Sequence, residues 1–165
     1  MGSLQNIMHN KEHAIKATDI LVSHHMFLRA LFDEIERALP DMKTFGEIDA
    51  FARMVEGVMI EHAASEENLL FSPLESLLLE KGQIAQLYTN HKECVGLLRN
   101  ARLERPVEDA RAFLRMTLRM LRDHFRDEER MVLRLAEETF RPESLQKLGK
   151  AWMLRHPHEG LSGIG

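Results

Sequence analysis

The stretch Ile60-Glu61-His62-Ala63-Ala64-Ser65-Glu66-Glu67-Asn68-Leu69-Leu70-Phe71 lies near the middle of the 165-residue chain and decides how the rest is interpreted. At helical spacing it continues an apolar stripe that comprises Ile48, Phe51, Val55, Val58, His62, Glu66 and Leu69. Such a stripe is typical of a helix that faces a core, yet this one contains an imidazole and a carboxylate. Burial of an unpaired carboxylate costs several kcal/mol, so this face must meet a cation or a hydrogen-bonded network. His62 and Glu66 are one turn apart and can bind one metal site together.

The composition indicates a single all-helical domain, because Leu, Met, Glu and Arg are abundant and aromatic residues make up only 6%. The formal net charge is −4 with acids and bases interspersed, which argues against a nucleic-acid surface. One cysteine, Cys94, excludes an internal disulfide and fits a reducing compartment. The sequence has no apolar run of about 18 residues and no signal-peptide pattern. We therefore expect a cytoplasmic protein with no membrane segment.

Four long amphipathic segments with short connections predict an antiparallel up-down-up-down four-helix bundle. The segments are 15–39, which Pro40 ends, 44–71, 83–102 and 106–138. A short connecting helix is predicted to start at Ser72 and to end at Gly82, and a C-terminal helix to start at Pro142. The predicted organisation is an N-terminal arm (1–15), the bundle (16–138), and a C-terminal helix with a flexible tail (139–165).

Six polar residues interrupt the apolar stripes of the four helices, namely His25, His62, Glu66, His91, His124 and Glu128. In the bundle topology, the starts of the first and third helices lie beside the ends of the second and fourth. The histidines of the first and third helices are each about nine residues from a helix start, and the acids lie near the opposite helix ends, so the depths agree within about two turns. We therefore expect all six side chains to cluster at one end of the bundle. In the fourth helix, the same inward stripe includes Met116 or Met120, Met131 and Leu135.

Four imidazoles and two carboxylates form a donor set for one dinuclear metal site, with two histidine nitrogens for each metal and carboxylates able to bridge. Helical bundles hold di-iron and di-manganese centres with such residues. A donor set without thiolate favours iron or manganese over a structural zinc, although imidazole also binds zinc well. The predicted cofactor is a pair of non-haem Fe ions, with Mn or Zn as substitutes.

Five further histidines lie outside this set. His9 and His13 belong to the polar arm, and His156 and His158 belong to the Gly-rich tail, where a solvated position is favoured over a ligand role. His24 lies about 100° around the first helix from the stripe and is predicted to face outward. No function is assigned to any of the five.

These segments resemble the hemerythrin-like (HHE cation-binding) family over about residues 16–137. The matching pieces are Leu21-x-x-x-His25-x-x-Leu28, His62-Ala63-Ala64-Ser65-Glu66-Glu67 running into Leu70-Phe71-Ser72-Pro73, His91, and His124-Phe125-Arg126-Asp127-Glu128-Glu129. The resemblance implies a four-helix bundle that holds a non-haem di-iron centre with two bridging carboxylates. It also implies a use in oxygen carriage, in sensing of oxygen, redox state or iron, or in repair of iron centres damaged by nitric oxide or oxidants.

The sequence departs from the oxygen carriers of that family in the third helix and in the spacing of the fourth-helix acid. Carriers have a second histidine one turn after the third-helix ligand, where this chain has Val95, and their fourth-helix acid corresponds to Glu129. The spacing from His124 to Glu128 resembles the iron-sensing and repair branches instead, so Glu128 and Glu129 remain alternatives. With fewer protein ligands both metals can keep open positions, which favours ligand sensing or redox chemistry over oxygen storage.

Three functions follow as hypotheses. The first is a di-iron protein that binds or senses O₂, NO, peroxide or redox state. The second is a di-iron redox enzyme or repair protein that reduces peroxide or NO or delivers iron; Tyr88 and Cys94 are its candidate accessory groups, although core packing is the favoured interpretation of both. The third is a metal-free helical module for an unknown protein partner, for which apolar replacements of His62 and Glu66 would leave the fold intact or firmer.

Overall fold

The computed structural model of the protein describes residues 15–77 and 82–155, and every regular element in these ranges is helical. The helices are α1 (Ala17–Ala38), α2 (Phe45–Glu66), α3 (Ser72–Leu77), α4 (Gly82–Ala101), α5 (Val107–Glu128), α6 (Arg134–Thr139) and α7 (Pro142–Arg155). A 3₁₀ turn follows α1 (Leu39–Asp41), and π turns follow α2 (Glu67–Phe71) and α5 (Glu129–Leu133). The predicted all-α class is confirmed. Within the described ranges, no helix is both long and apolar enough to span a membrane.

Several helix ends follow directly from sequence signals. The Thr44 hydroxyl accepts a hydrogen bond from the Glu47 N–H (3.3 Å), and the Glu47 carboxylate accepts one from the Thr44 N–H (2.8 Å), so the predicted capping box starts α2. Pro40 lies in the 3₁₀ turn that ends α1, and Pro106 immediately precedes α5. The predicted arm and tail, with His9, His13, His156 and His158, lie outside the described residues.

The connecting helix starts at Ser72, as predicted, but no loop precedes it. Residues 45–77 form one helical run, in which α3 follows α2 through the π turn. The Ser72 N–H donates to the Glu67 carbonyl, which is the long bond of a π turn, so the chain reaches Pro73 without leaving the helix. Gly82 was predicted to end the connecting helix but is the first residue of α4. Glycine occurs at both the starts and the ends of helices, so it indicates a helix boundary without showing which of the two it is.

Buried apolar side chains form two clusters, separated on each long helix by the predicted site residues. The larger cluster joins the later part of α1 and α4 to the earlier part of α2 and α5, and it includes Leu28, Phe32, Val55, Met59, Leu98, Leu118 and Phe125. The smaller cluster includes Leu21, Leu70, Phe71, Leu74, Ile84, Leu87, Val132 and Leu133. His25 thus lies between Leu21 and Leu28 along α1. The corresponding gaps hold His62 and Glu66 in α2, His91 in α4 and Glu128 in α5, and His124 directly precedes Phe125 at the edge of the larger cluster. The polar residues form a layer between two apolar layers.

Three methionines that were candidates for the inward stripe of the fourth helix are exposed, so that part of the prediction is wrong. Met116 and Met120 are each 45% exposed and Met131 is 57% exposed, whereas all were candidates for the core. The buried face of α5 contains Leu114, Leu118, Leu121 and Phe125. Beyond Glu128 the π turn changes the helical phase, so that Val132 and Leu133 are buried in place of Met131.

The last helix, α7, packs against α1 close to the polar layer. The backbones approach so closely at Gly149 that a Cβ there would lie 2.4 Å from the Ile15 carbonyl oxygen, which excludes any side chain. Glu137 of α6 accepts hydrogen bonds from Lys16 Nζ (2.8 Å) and from the Thr18 hydroxyl. These contacts hold the C-terminal elements on the first half of α1.

Candidate metal centre

The structure brings all six predicted site residues together in the buried layer, at exposed fractions of 8% or less. Their donor atoms form two groups, each with all atoms within 4.8 Å of one another. The first group is His25, His62, Glu66 and Glu128, and the second is His91, His124 and Glu128. Each group therefore combines a histidine from one helix with a His-x-x-x-Glu pair from the next long helix.

In the first group the imidazole Nε2 atoms converge on one carboxylate. His25 Nε2 lies 3.1 Å from both His62 Nε2 and Glu66 Oε1, and His62 Nε2 lies 3.4 Å from the same Glu66 oxygen. Glu128 Oε2 lies 3.6 Å from His25 Nε2. These four side chains come from α1, α2 and α5, so the group requires the folded bundle.

The second group repeats the arrangement with α4 and α5. His91 Nε2 lies 3.0 Å from Glu128 Oε1, and His124 Nε2 lies 3.4 Å from Glu128 Oε2. Glu66 also contributes, because its Oε2 lies 3.3 Å from His91 Nε2. Each carboxylate therefore faces histidines of both groups, as a bridging ligand between two ions must.

The residues fit a pair of metal ions on two counts. Donor atoms about 2.0 to 2.2 Å from one ion are separated by roughly 3 to 3.5 Å, which matches the Nε2 and carboxylate spacings in both groups. In addition, three donor atoms of the layer are buried without a hydrogen-bond partner in the described part of the chain: Glu66 Oε2, His124 Nε2 and Glu128 Oε2. Buried polar atoms of this kind are rare and are satisfied by an ion or water that binds them.

A second pair of carboxylates contacts two of the histidines at Nδ1, on the side of each ring that faces away from the other donor atoms. Glu129 Oε1 lies 3.0 Å from His25 Nδ1 and also accepts a hydrogen bond from Arg29 Nη1 (2.8 Å). Glu67 Oε1 lies 2.8 Å from His91 Nδ1. A carboxylate on Nδ1 keeps the proton there and leaves the Nε2 lone pair to face the centre. The acids that follow Glu66 and Glu128 in sequence thus orient the histidine of the opposite half.

His62 is held by another histidine. His24 Nδ1 lies 3.0 Å from His62 Nδ1, and the two ring centroids are 5.0 Å apart. The prediction that His24 faces outward is therefore wrong. The ring is half-buried because α7 covers this part of α1, a contact that the periodicity of α1 alone does not predict.

Comparison with protein families matches residues 16–136 to the hemerythrin HHE cation-binding domain. The chain belongs to the hemerythrin HHE family. Comparison with curated proteins and with solved structures gave no match. The recognition made from the sequence is confirmed, and with it the cation-binding class of the domain. The buried histidines and glutamates described above are the groups in this hemerythrin-like domain that could hold a metal.

Two phenylalanine rings pack against the imidazoles of the hemerythrin-like layer. Phe125 stacks on His25 at 4.5 Å between centroids, and Phe71 stacks on His91 at 5.3 Å. Both phenylalanines are buried, at 0% and 1% exposure, and each belongs to one of the two apolar clusters. They fix the planes of the imidazoles and keep water from the edges of the layer.

The pKa values of the histidines divide into two classes in the metal-free protein. Burial lowers the pKa of His62 to about 3 and that of His124 to about 4. Burial also acts to lower the pKa of His91, but the neighbouring carboxylates of Glu128 and Glu66 outweigh it and raise the value to about 10. The pKa of His25 is raised as well, because the Glu66 carboxylate outweighs burial. Neutral His62 and His124 are in the form that binds metal.

The two central carboxyls titrate in opposite directions. Burial opposes ionisation of Glu66, but His62, His25 and His91 surround it and hold its pKa well below the usual range. Burial, together with the charge of Glu66, raises the pKa of Glu128 to about 8. Two carboxylates in one buried layer repel each other, so the second keeps its proton until a cation replaces it.

Sequence reasoning missed part of the outer layer of this hemerythrin-like centre. Glu67, Arg29 and Phe125 received no role, and Glu129 was considered only as an alternative ligand. The doubled acids at 66–67 and 128–129 were a usable signal, because the same pair occurs four and five residues after His62 and again after His124. In the structure, Glu128 lies in the buried layer, while Glu129 is 28% exposed and contacts His25 from outside.

Proposed function

We propose that this chain holds a dinuclear non-haem iron centre and uses it to bind or sense O₂, NO or redox state. Manganese and zinc are the substitutes that the donor set also accepts. The proposed ligands are His25, His62, Glu66, His91, His124 and Glu128.

The observation that carries this proposal is the set of three buried donor atoms without hydrogen-bond partners, one on each of Glu66, His124 and Glu128. Each such atom costs about 1 to 3 kcal/mol if nothing binds it. All three lie in the same layer, and two bridged cations would satisfy them together. A metal-free partner module gives no reason for this concentration of cost in one place.

The two apolar clusters support the antiparallel bundle that the proposal requires. The end of α1 and the start of α2 share the larger cluster, as do the end of α4 and the start of α5. An up-down-up-down order produces this pairing and brings all six ligands to one level. We assign the metal-binding bundle to residues 16–138, and we place the protein in the cytoplasm.

The protein residues would divide the work at this centre. The four Nε2 atoms and two bridging carboxylates bind, the outer Glu67 and Glu129 keep the protons of His91 and His25 on Nδ1, and Phe71 and Phe125 exclude water. Bound iron would supply one-electron redox chemistry and an attachment point for a diatomic molecule. Because four histidines and two acids are fewer ligands than two six-coordinate ions require, positions remain for such a molecule.

Binding or sensing is preferred to enzymatic turnover because of the state of Cys94. Its thiol is 7% exposed, and burial raises its pKa to about 12. A thiol that stays protonated at neutral pH is a poor nucleophile and a poor redox partner. The redox-enzyme and iron-centre repair functions therefore remain the second candidate.

The test is metal analysis and optical spectroscopy of protein produced in iron-supplemented medium. We expect about two irons per chain, and spectral changes that reverse when O₂ or NO is removed from the anaerobically reduced protein. Irreversible oxidation with turnover of peroxide or NO would instead establish the enzymatic candidate. His62→Ala should lose iron, whereas Met54→Ala, a 41% exposed site on the same helix, should retain it. A cooperatively folded wild-type protein that binds no metal would refute the proposal and leave the partner module.

A further inference from the structure

His24 lies between the buried centre and α7. Its Nδ1 is 3.0 Å from His62 Nδ1, and its ring is 6.0 Å from that of Trp152 in an edge-to-face arrangement of 68°. Trp152 is 5% exposed. A continuous line of ring contacts therefore runs from His62 through His24 to the last helix.

The tautomers along this line follow from the geometry of His62. Its Nε2 faces the other donors, 3.1 Å from His25 Nε2 and 3.4 Å from Glu66 Oε1. A neutral His62 that presents a lone pair at Nε2 carries its proton on Nδ1, where it is donated to His24 Nδ1. The acceptor role of His24 leaves its own proton on Nε2. His24 thus acts on His62 as Glu129 acts on His25 and as Glu67 acts on His91.

Helix α7 determines the position of His24. It packs on α1, and Gly149 brings the two backbones into contact near Ile15. The Trp152 indole then closes over the outer side of the His24 ring. Residues 142–155 lie beyond the segment 16–136 that matches the hemerythrin HHE domain. The contact of Trp152 with His24 therefore comes from the C-terminal helix and not from the segment that matches the domain.

We propose that His24 is a positioning residue for His62, that Trp152 holds it in place, and that metal binding is thereby coupled to the docking of α7. The inference rests on the proposed metal centre. It goes further by assigning α7 the role of the element that responds to the centre. Coupling is reciprocal, so a docked α7 raises metal affinity and bound metal stabilises docked α7 by the same factor.

The first experiment measures Zn²⁺ affinity by competition with a chromophoric chelator. His24→Ala should weaken binding about tenfold, the low end of the effect of removing an outer partner of a metal-binding histidine. His24→Asn should recover most of the loss, because its amide oxygen occupies the place of Nδ1 and accepts the same hydrogen bond. Met26→Ala, a 64% exposed site on the same helix, should bind as the wild type does.

The second experiment uses Trp152, the one tryptophan of the chain, as a reporter of α7. Zn²⁺ is chosen because it neither absorbs light nor quenches by electron transfer. Zn²⁺ should change the tryptophan emission of the wild type, and His24→Ala should lose at least half of that change even when saturated with metal. A purely structural role for His24 would lower the melting temperature without removing this response.

The two experiments separate failure of this inference from failure of the metal centre. If the wild type binds two Zn²⁺ and His24→Ala has the same affinity and the same emission change, the coupling is wrong and the centre stands. If His24→Asn is as weak as His24→Ala while both remain folded, the hydrogen bond to His62 is not the cause. If the wild type binds no metal, the proposed function itself fails.

Discussion

Adjacent acids have different tasks at the residue scale. Glu66 and Glu128 lie in the buried layer at 1% exposure, whereas Glu67 and Glu129 are about one-third exposed and contact Nδ1 of a histidine from the opposite half. The two members of each pair are one residue apart, so their side chains leave the helix about 100° apart and reach two sides of the same histidine layer. A doubled acid thus places one carboxylate in the proposed ligand set and a second against the outer nitrogen of a histidine.

Glutamine substitutions should distinguish these two tasks. Glu128→Gln removes a carboxylate oxygen that faces both donor groups and is expected to lower the metal content of the purified protein to one ion per chain or less. Glu129→Gln should retain two ions and weaken binding by about tenfold, since it only loosens His25. Metal analysis with chelator competition on both variants is the measurement. The opposite ranking would identify Glu129 as the ligand.

Metal affinity should rise with pH. The pKa of His91 is raised to about 10 and that of Glu128 to about 8, so both retain protons at neutral pH that a metal ion must displace. His25, whose pKa is also raised, adds to this competition. Each displaced proton gives about a tenfold gain in affinity per pH unit, so the logarithm of the Mn²⁺ association constant should rise with a slope of about one or more between pH 6 and 8. Glu128→Gln should show a lower slope, and a flat profile would contradict these protonation states.

At the scale of secondary structure, each His-x-x-x-Glu pair occupies the last α-helical turn before a π turn. Glu66 ends α2 and Glu128 ends α5, and the π turns that follow begin with Glu67 and Glu129. A π turn contains one more residue than an α turn and changes the direction of every later side chain. Both π turns lie beside the proposed centre, which fits the frequent occurrence of π turns at functional sites.

An ion-pair group joins α2 to α4 in the part of the bundle with the larger apolar cluster. Glu56 is 7% exposed and accepts hydrogen bonds from Arg102 Nη1 (2.6 Å) and Arg99 Nε (3.1 Å). Hydrogen bonds from Arg102, and then from Arg99, hold its pKa below the usual value of 4.5. A lowered pKa means that the carboxylate stabilises the fold above pH 4.5 and that this contribution is lost as the pH falls through the folded-state pKa.

Glu56→Gln should therefore lower the free energy of unfolding at pH 7 by about 1 to 3 kcal/mol. The difference from the wild type should shrink as the pH falls below 4.5 through the lowered pKa of Glu56. Urea denaturation at pH 7 and at successively lower pH values tests this, with Glu104→Gln as the exposed control. Metal content should not change, because Glu56 lies outside the ligand layer.

The sequence was sufficient for the helical class and for the six residues of the layer, because both depend on periodicity within single helices. The side on which His24 lies depends on α7, and the exposure of Met131 depends on a π turn, neither of which a regular 3.6-residue repeat contains. The contact of Glu67 with His91 was not predictable, because it depends on the distance between the end of α2 and α4, which do not follow each other directly in the chain. Contacts within one helix were predictable, whereas those that depend on a third element or on an irregular turn were not.

At the scale of the whole molecule, the proposed metal should stabilise the fold. The double variant His62→Leu with Glu66→Leu removes the Glu66 carboxylate that lies 3.1 Å from His25 Nε2 and 3.3 Å from His91 Nε2, so it should lower the melting temperature of the metal-free protein. The wild type should gain about 4 kcal/mol when the free metal concentration is a thousand times the dissociation constant. The variant should gain nothing. Thermal unfolding with and without Mn²⁺ measures both, and an equal metal-free and metal-loaded wild type would contradict the centre.

The burial of the donor layer has a consequence for the speed of loading. Every proposed ligand side chain has 8% exposure or less, with an apolar cluster on either side and Phe71 and Phe125 against the imidazoles. We therefore expect an ion to enter only while helices are transiently separated. Uptake should thus reach a maximum rate that further metal does not increase, and that rate is the opening rate of the bundle. The same barrier delays departure, so an ion once bound should outlast many cycles of chelator challenge.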